Sequence, residues 1–457
     1  MIVENRNINK IFLIFLFFHL IIWTLIPSIT NKNLPLDTIE ALAWGSNLDW
    51  GFNKHPPLSA AAVEVFFQFF GNQDWAYYLL SQIFIIVAFV SIFKLANEFF
   101  NDTKLAFFSV LLLEGIYFFN YTSPEFNVNV AQLPFWSLSI LFTWRCIKYD
   151  KVIDFVLLGI FMGLGFLSKY LFFYLILGIK FLFLYLIINK KIKSLKYLIT
   201  GPVALIIILP HLFWLLENNF VTITYGLQRT EAGENFFYHI IYPLIFIIKQ
   251  LAVLLPFFLM GYFLLKRLKI KKVIISEKII FLLFTFVLPV LLMVTTSVVF
   301  GAKIRTMWMT PFYLLAGVMF IEIFKRNLNL KKLKKFYLVF LLFFLFSPIL
   351  YAIVSLTNDY KRTDYPGEEI ARLVQNKWDK NFINEIKIVV GDEWYAGNLS
   401  YHLESRPIWF NDLNNKLEKI EKDQGVIYTG NPKILKKICP GEFGIIRPVG
   451  YCMIGRR

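Results

Sequence analysis

Apolar residues occur along this chain in long, nearly uninterrupted runs. Runs of about 18 or more apolar residues are long enough to cross the hydrocarbon core of a bilayer as helices. A membrane β-barrel would instead show short segments of alternating polarity. We therefore predict a polytopic α-helical membrane protein with about eleven transmembrane helices, at residues 11–29, 75–97, 104–121, 127–146, 152–168, 170–188, 197–216, 244–265, 278–299, 308–324 and 336–355.

Two apolar segments need a separate interpretation. No small-residue cleavage site follows residues 11–29, so we predict a retained helix rather than a signal peptide. Residues 59–70 are too few to span a bilayer. This segment is expected to lie along the membrane surface as an amphipathic or re-entrant helix.

Basic residues between the runs alternate between rich and poor segments. One set of segments, which includes the N-terminus, carries 23 Lys and Arg, and the opposite set carries 6. Because short cytoplasmic loops are enriched in Lys and Arg, the N-terminus is predicted to be cytoplasmic. The first loop, residues 30–74, and the C-terminal region then face the opposite side of the membrane.

Composition agrees with a lipid environment. The chain of 457 residues is 57% hydrophobic and contains 51 Phe, more apolar surface than a soluble protein of this size could bury. The net charge of +16 is explained by the cytoplasmic loops, which would contact membrane lipids. No basic patch with interleaved aromatic residues appears in the polar part of the sequence, so nucleic acid is not an expected partner.

The composition becomes polar after about residue 356. We therefore divide the chain into a membrane domain, residues 1–355, and an outer domain, residues 356–457. Alternating helical and strand patterns predict a small α/β domain with a mainly parallel sheet. The expected helices are residues 367–378, 393–403 and 413–423, and the expected strands are residues 386–392, 406–410 and 425–430.

The three cysteines divide between the two domains. Cys146 lies at a predicted cytoplasmic helix end and is expected to be inert. Cys439 and Cys452 both lie in the outer domain, where an oxidising compartment permits a disulfide. Two cysteines alone leave a bridge and two free thiols equally open.

The first loop collects the groups best suited to chemistry. Asp37 and Glu40 lie in a short helical pattern, and Lys54 and His55 precede a double proline. Carboxylates handle protons, and Lys and His are suited to binding a phosphate. A structural interpretation is equally open, with Asp37 as the N-cap and Glu40 at the third position of a capping box. The prolines would then set only the entry angle of the next helix.

Four further residues are candidates outside this loop. Lys303 and Arg305 form a close basic pair on the otherwise weakly charged outer side, and we favour anion binding over snorkelling. Glu114 and His211 lie in the outward halves of predicted transmembrane helices. Ionisable residues inside a membrane are costly and usually mark function or a paired interior, although a lone His is often simply packed and hydrogen-bonded.

Several motifs in order resemble one family. The segments LDTIEALAWG, GFNKHPPLSA, DWAYYLL, FNVNVAQLPFWSL, LGFLSKY and LPHLFWLLENNF resemble bacterial members of the dolichyl-phosphate-mannose protein mannosyltransferase-like family, which also includes the lipid A aminoarabinose transferases. The resemblance covers about residues 5–325. It implies the C-type glycosyltransferase fold and a location in the bacterial inner membrane, with the C-terminal domain periplasmic.

The resemblance also implies an activity, the transfer of a sugar from a polyprenyl-phosphate carrier to a periplasmic lipid, glycan or protein acceptor. Asp37 matches the leading Asp of the family's first outer loop, but Thr38 stands where a second acid often follows. His55 matches the basic residue before the double proline of the aminoarabinose transferases, and Lys54 replaces their acid. The motifs leave a divalent cation requirement open.

These residues permit a mechanism and leave two alternatives. Asp37 would accept the proton of an acceptor hydroxyl, with Glu40 as the next candidate. Lys54, His55, Lys303 and Arg305, with Glu114 and His211 nearby, would bind substrate and stabilise the leaving phosphate. A transporter or flippase of lipid-linked sugars would also be polytopic, but it should show paired or inverted repeats. No such internal repeat is apparent in the sequence. A non-catalytic membrane scaffold could present the outer domain to partners, but it would have no use for a loop of acids and bases.

Overall fold

The computed structural model describes residues 2–191, 194–231, 235–266, 275–330, 333–411, 424–446 and 448–457. The described chain is mostly helical and ends in a small sheet domain. Its helices are α1 (Ile2–Thr30), α2 (Leu36–Gly45), α3 (Leu58–Phe70), α4 (Asp74–Phe100), α5 (Thr103–Leu111), α6 (Val128–Ala131), α7 (Leu133–Tyr149), α8 (Val152–Ser168), α9 (Phe173–Ile188), α10 (Thr200–Glu217), α11 (Val221–Gln228), α12 (Tyr238–Phe263), α13 (Glu277–Leu282), α14 (Leu288–Phe300), α15 (Ala316–Phe324), α16 (Lys334–Thr357), α17 (Gly367–Asn381), α18 (Tyr395–His402) and α19 (Pro432–Ile438).

Eight helical segments among the described residues are long and apolar enough to cross a membrane. They are Asn7–Thr30, Asp74–Phe100, Tyr170–Ile188, Lys196–Glu217, Tyr238–Phe263, Glu277–Phe300, Thr306–Asn327 and Lys334–Thr357. All eight coincide with predicted spans. The chain is therefore a polytopic helical membrane protein.

The other three predicted spans are shorter helices. Residues 104–121 form α5 and then 3₁₀ turns, and residues 127–146 are divided between α6 and α7. In these turns a Cβ at Gly115 would come within 2.6 Å of the backbone of Phe257 on α12, so the close approach of α12 requires a glycine there. Residues 152–168 form α8, which is 17 residues long.

The first outer loop contains two helices. The short pattern at Asp37 forms α2, and the predicted surface segment forms α3, which leaves the side chains of Val65 and Phe69 exposed. Between the two helices, the chain bonds to α10. The indole N–H of Trp214 donates to Asp49 (2.8 Å), and the ring of Trp214 fills the space beside Gly51.

The C-terminal domain is built on a five-stranded sheet of order β2-β1-β3-β5-β4. The strands are β1 (Ile388–Val390), β2 (Ile408–Phe410), β3 (Val426–Gly430), β4 (Glu442–Ile446) and β5 (Val449–Ile454). The first three pair in parallel, as predicted, but β5 pairs antiparallel with both β3 and β4. The sheet is therefore mixed, because the chain returns through a hairpin. The predicted helix at residues 413–423 lies outside the described residues.

The C-terminal domain and the first outer loop share one hydrophobic core. Trp44 and Phe52 of the loop are buried in the same cluster as Trp378 and Val389 of the domain. Helices α2 and α18 approach closely at Gly397, where a Cβ would lie 3.0 Å from that of Ala43. This packing fixes α2, and with it Asp37, against the domain.

Candidate active site

Asp37 lies in the first turn of α2, but it does not cap the helix. The N-cap residue is Pro35, and no N-cap side chain accepts a hydrogen bond from the first backbone N–H groups of α2. The predicted capping box of Asp37 and Glu40 is therefore wrong. Instead, the backbone N–H of Asp37 donates to Oε1 of Glu125 (3.2 Å), from the loop before α6. The Asp37 carboxyl is thus free of a capping role.

Asp37 and Glu125 form a coupled pair of acids. Burial raises the pKa of Asp37, while the charges of Lys169, Lys54, Arg229 and Arg362 act in the opposite direction. Burial and the negative charge of Asp37 raise the pKa of Glu125 to about 8. Four positive groups act on Asp37 and only Arg362 acts on Glu125, so the surrounding charges favour the ionised form of Asp37 over that of Glu125.

Thr38 occupies the place where the family often has its second acid. Its hydroxyl is buried and donates to the carbonyl of Phe126 (3.1 Å), so it fastens α2 to the loop that carries Glu125. The second carboxyl beside Asp37 therefore comes from another part of the chain.

Lys54 is held between two carboxylates. Its Nζ lies 2.9 Å from Oε1 of Glu40 on α2 and 3.3 Å from Oε1 of Glu393 in the C-terminal domain. Burial opposes the charge of Lys54, but the two carboxylates outweigh it and raise its pKa. Glu40 is likewise engaged, and burial raises its pKa against the opposing effect of Lys54.

His55 is close to the same acids but is uncharged at neutral pH. Burial, followed by the charges of Lys169, Lys54 and Arg229, lowers its pKa to about 3. Its ring lies edge-on between Trp44 and Tyr225, with both centroids 6.0 Å away. A neutral imidazole can contact a phosphate by donating a hydrogen bond, but not as a cation.

Two neighbouring cavities meet at these residues. The first, of about 550 Å³, we call the Asp37 cavity, and it is lined in part by Asp37, Glu40, Lys54, His55 and Lys169. The second, of about 680 Å³, we call the Lys249 cavity, and it is lined in part by Glu125, Lys249 and Lys303. Asn129, Arg229, Arg305 and Met307 line both. Asp37 lines one cavity and Glu125 lines the other, so this pair of acids lies between the two cavities.

Lys169 is a buried amine beside Asp37. Burial lowers its pKa to about 7, partly offset by the charge of Asp37. Its Nζ donates to Oδ1 of Asn129 (2.6 Å) and lies 5.2 Å from the centroid of the Trp308 ring. A buried amine with a pKa near neutrality is a frequent feature of functional sites.

The two members of the predicted basic pair have different surroundings. Lys303 is exposed, and its Nζ is 2.6 Å from Oε2 of Glu231, so its charge is already matched. Arg305 is half-buried and lines both cavities. Among the described residues, no carboxylate lies within ion-pair distance of its guanidinium. Arg305 is therefore the better-placed anion ligand.

Glu114 and His211 do not line either cavity. Oε1 of Glu114 lies 2.8 Å from Nδ1 of His19 on α1, and both side chains are buried. His211 donates from Nδ1 to the carbonyl of Trp50 (2.6 Å), and its Nε2 lies 2.8 Å from the hydroxyl of Tyr170. Tyr170 lines the Asp37 cavity, so His211 can influence that cavity only through its neighbours.

No group of three or more His, Cys, Asp or Glu side chains in the part of the chain that the structure describes is arranged to hold a metal ion.

Sequence reasoning missed Glu125, Lys169, Arg229 and Glu393 as members of the site. Three of these had a signal. Lys169 lies inside the family-like segment LGFLSKY, and Glu125 directly precedes FNVNVAQLPFWSL. Glu393 lies inside GDEWYAGNLSYHLESRPIWF, which also resembles the tail of the bacterial subgroup. Arg229 has no comparable mark, and only the folded chain brings it to the site.

Comparison with known proteins identifies the relatives of this architecture. Residues 54–214 match the family model of dolichyl-phosphate-mannose-protein mannosyltransferase. The chain is 26% identical over 209 residues to the lipopolysaccharide core galacturonosyltransferase RgtB of Rhizobium johnstonii. That match covers 45% of this chain and 42% of RgtB, so it spans less than half of either protein.

Two crystal structures of ArnT from Cupriavidus metallidurans have the same fold. The apo structure superposes with a TM-score of 0.63 at 12% identity, over 97% of this chain and 98% of ArnT. The structure bound to undecaprenyl phosphate gives 0.63 at 13% identity, over 96% and 97%. The chain therefore has the C-type glycosyltransferase fold, and its residues 54–214 are similar to the dolichyl-phosphate-mannose-protein mannosyltransferase family.

Proposed function

We propose that this protein is an integral membrane glycosyltransferase that moves a sugar from a polyprenyl-phosphate carrier to an acceptor hydroxyl. The observation that carries this proposal is the buried carboxyl of Asp37 in a cavity that Lys169, Arg229 and Arg305 also line. A base and several cations in one cavity match the needs of a reaction that removes a proton and releases a phosphate.

Asp37 acts as the general base. It accepts the proton of the acceptor hydroxyl as that oxygen bonds to the anomeric carbon, and the bond from this carbon to the phosphate oxygen breaks. A single displacement inverts the anomeric centre. Glu125 stays protonated near neutral pH, which keeps a second negative charge away from the attacking oxygen.

The leaving group is a polyprenyl phosphate, which needs charge stabilisation more than a proton. Arg305 and Arg229 line both cavities, and Lys169 lies beside Asp37. We assign the phosphate to these residues, with a hydrogen bond from neutral His55 and a weaker contribution from the paired Lys303. We assign Lys54 and Glu40 to holding the first outer loop in place, because Lys54 is already paired with Glu40 and with Glu393.

The relatives support a lipid-linked donor. One ArnT structure carries undecaprenyl phosphate, and RgtB is named as a transferase that acts on the lipopolysaccharide core. We infer that the acceptor here is a lipid A or lipopolysaccharide group, a glycan or a protein on the periplasmic side of the bacterial inner membrane. The distribution of 23 and 6 basic residues supports a cytoplasmic N-terminus and a periplasmic C-terminal domain.

Purified protein in lipid nanodiscs tests the activity. We expect it to release polyprenyl phosphate from a polyprenyl-phosphate sugar only when an envelope lipid or glycan extract is present. Mass spectrometry of envelope lipids and glycans from a deletion strain would then identify the acceptor as the species that loses a sugar.

The alternative is a transporter or flippase of lipid-linked sugars. Such a protein would move the labelled donor between the leaflets of a proteoliposome without cleaving it. Movement of intact donor with no release of polyprenyl phosphate would favour this alternative over the transferase.

A further inference from the structure

The residue Glu393 reaches the proposed active site from the C-terminal domain. It is 8% exposed and lies between strand β1 and helix α18. The preceding Asp392 accepts hydrogen bonds from the backbone N–H groups of Trp394 (2.9 Å) and Tyr395 (2.7 Å), which fixes this turn. These hydrogen bonds hold in place the backbone that carries the Glu393 carboxyl.

One oxygen of Glu393 binds two adjacent residues of the first outer loop. Oε1 accepts from Nδ2 of Asn53 (2.8 Å) and lies 3.3 Å from Nζ of Lys54. Lys54 in turn donates to Glu40 (2.9 Å), which is one turn after Asp37 on α2. A continuous polar chain therefore runs from the C-terminal domain to the helix of the proposed base.

The C-terminal domain and the first outer loop are also joined by contacts that lie away from the Asp37 cavity. Arg406 of the C-terminal domain lies 3.0 Å from Glu64 of α3 and donates to the carbonyl of Leu42 (2.7 Å) on α2. Asn398 accepts from Asn33 (2.8 Å) just before α2. These contacts hold the domain in place, whereas Glu393 alone among them contacts a residue that lines the Asp37 cavity.

We propose that Glu393 is a positioning residue, which holds α2 and its carboxyl Asp37 in their reactive place through Lys54 and Glu40. This inference rests on the proposed transferase function. It makes the C-terminal domain a part of the catalytic unit. Because Glu393 and Glu40 share the charge of Lys54, loss of Glu393 removes one of the two carboxylates that hold Lys54 beside α2.

The test uses the full-length protein with Glu393→Gln, Lys54→Ala and the double variant. Gln keeps an oxygen for Asn53 but removes the charge that holds Lys54. We expect Glu393→Gln to lower kcat at least about 10-fold, the size of one lost charge-assisted contact, with the donor KM within about two-fold. In the Lys54→Ala background, Glu393→Gln should have no further effect.

Glu369→Gln is the matched control. Glu369 is an exposed acid on α17 of the same domain, and its substitution should leave kcat unchanged. If the fold-losses of kcat of the two single variants multiply in the double variant, Glu393 acts independently of Lys54 and the proposal is overturned. A change confined to KM would also overturn it.

A second readout does not depend on activity. Lys54 should react several-fold faster with an amine-reactive ester in Glu393→Gln than in the wild type, with exposed Lys380 as the internal reference. Unchanged labelling of Lys54 would overturn the proposed contact. If the wild type shows no sugar transfer but Lys54 labelling accelerates, the transferase proposal fails while the contact is supported.

Discussion

The carboxyl of Asp37 is surrounded by charges of both signs. Lys169, Lys54 and Arg229 favour its ionised form, while burial disfavours it. Glu125 bonds to the backbone of Asp37 and keeps its own proton to about pH 8. In the proposed mechanism these two adjacent acids take the roles of base and neutral neighbour.

This pair predicts a bell-shaped pH profile for kcat/KM. The base must be ionised, so activity is lost as the pH falls through the raised pKa of Asp37, above the ordinary value of about 3.9. Activity should also fall as the pH rises through about 8, because ionised Glu125 then repels the anionic donor. The measurement is kcat/KM from pH 4.5 to 9.5.

Glu125→Gln separates the two limbs. Gln stays neutral and can still accept from the Asp37 N–H, so the alkaline limb should disappear while the acidic limb stays in place. Persistence of a fall near pH 8 in this variant would assign that limb to another group, such as Lys169, whose pKa is about 7.

Arg305 and Lys303 should differ when each is replaced by Ala. Arg305 lines both cavities, and its loss should weaken donor or transition-state binding by roughly 1.5–3 kcal/mol. Lys303 is exposed and paired with Glu231, so Lys303→Ala serves as the matched control with a much smaller effect. Donor titration of both variants checks this, and equal effects would contradict the assignment of the phosphate to Arg305.

At the scale of elements, the hydrophobic pattern predicted most helices because long apolar runs leave little choice in a membrane. It failed where tertiary contacts decide the local structure. The Asp37–Glu40 spacing suggested a capping box, but Glu125 supplies the bond to the helix end from another loop. The mixed sheet was also missed, because the pairing of β4 with β5 depends on a hairpin after the last predicted strand.

The pairing of β5 with its neighbours bears on the cysteines, whose bridging the sequence left open. Cys439 ends α19 and Cys452 lies in β5, and the structure joins them in a disulfide. The two cysteines are 13 residues apart in the sequence. A disulfide that closes a loop of this length should stabilise the domain by about 2–4 kcal/mol.

Alkylation of the denatured protein tests the bridge. Without a reductant, only Cys146 should react, and after reduction all three cysteines should react. Labelling of all three without reductant would contradict the disulfide.

At the scale of the whole molecule, the account depends on which side of the membrane carries the Asp37 cavity. The basic segments predict that the first loop and the C-terminal domain are both periplasmic. Their shared core requires them to be on the same side in any case.

Reporter fusions after residue 360 check this orientation. An exported reporter such as alkaline phosphatase should be active there, and a cytoplasmic fluorescent reporter should be dark. The reverse pattern would overturn both the orientation and the periplasmic reaction.

The central claim is that Asp37 is the catalytic base, and Asp37→Asn tests it most directly. Asn has the same size, and the Asp37 side chain does not cap α2, so expression and thermal stability should stay close to wild type. Asp49→Asn is the matched control in the same loop, because Asn keeps an oxygen for the Trp214 indole. General-base catalysis is typically worth about a hundred- to ten-thousand-fold in rate.

The decisive measurement is the rate of polyprenyl phosphate release by purified Asp37→Asn. The account predicts a loss of at least about a hundred-fold, with donor binding retained and Asp49→Asn within a few-fold of wild type. A rate for Asp37→Asn within a few-fold of wild type would contradict the account and make Glu40 the next residue to test.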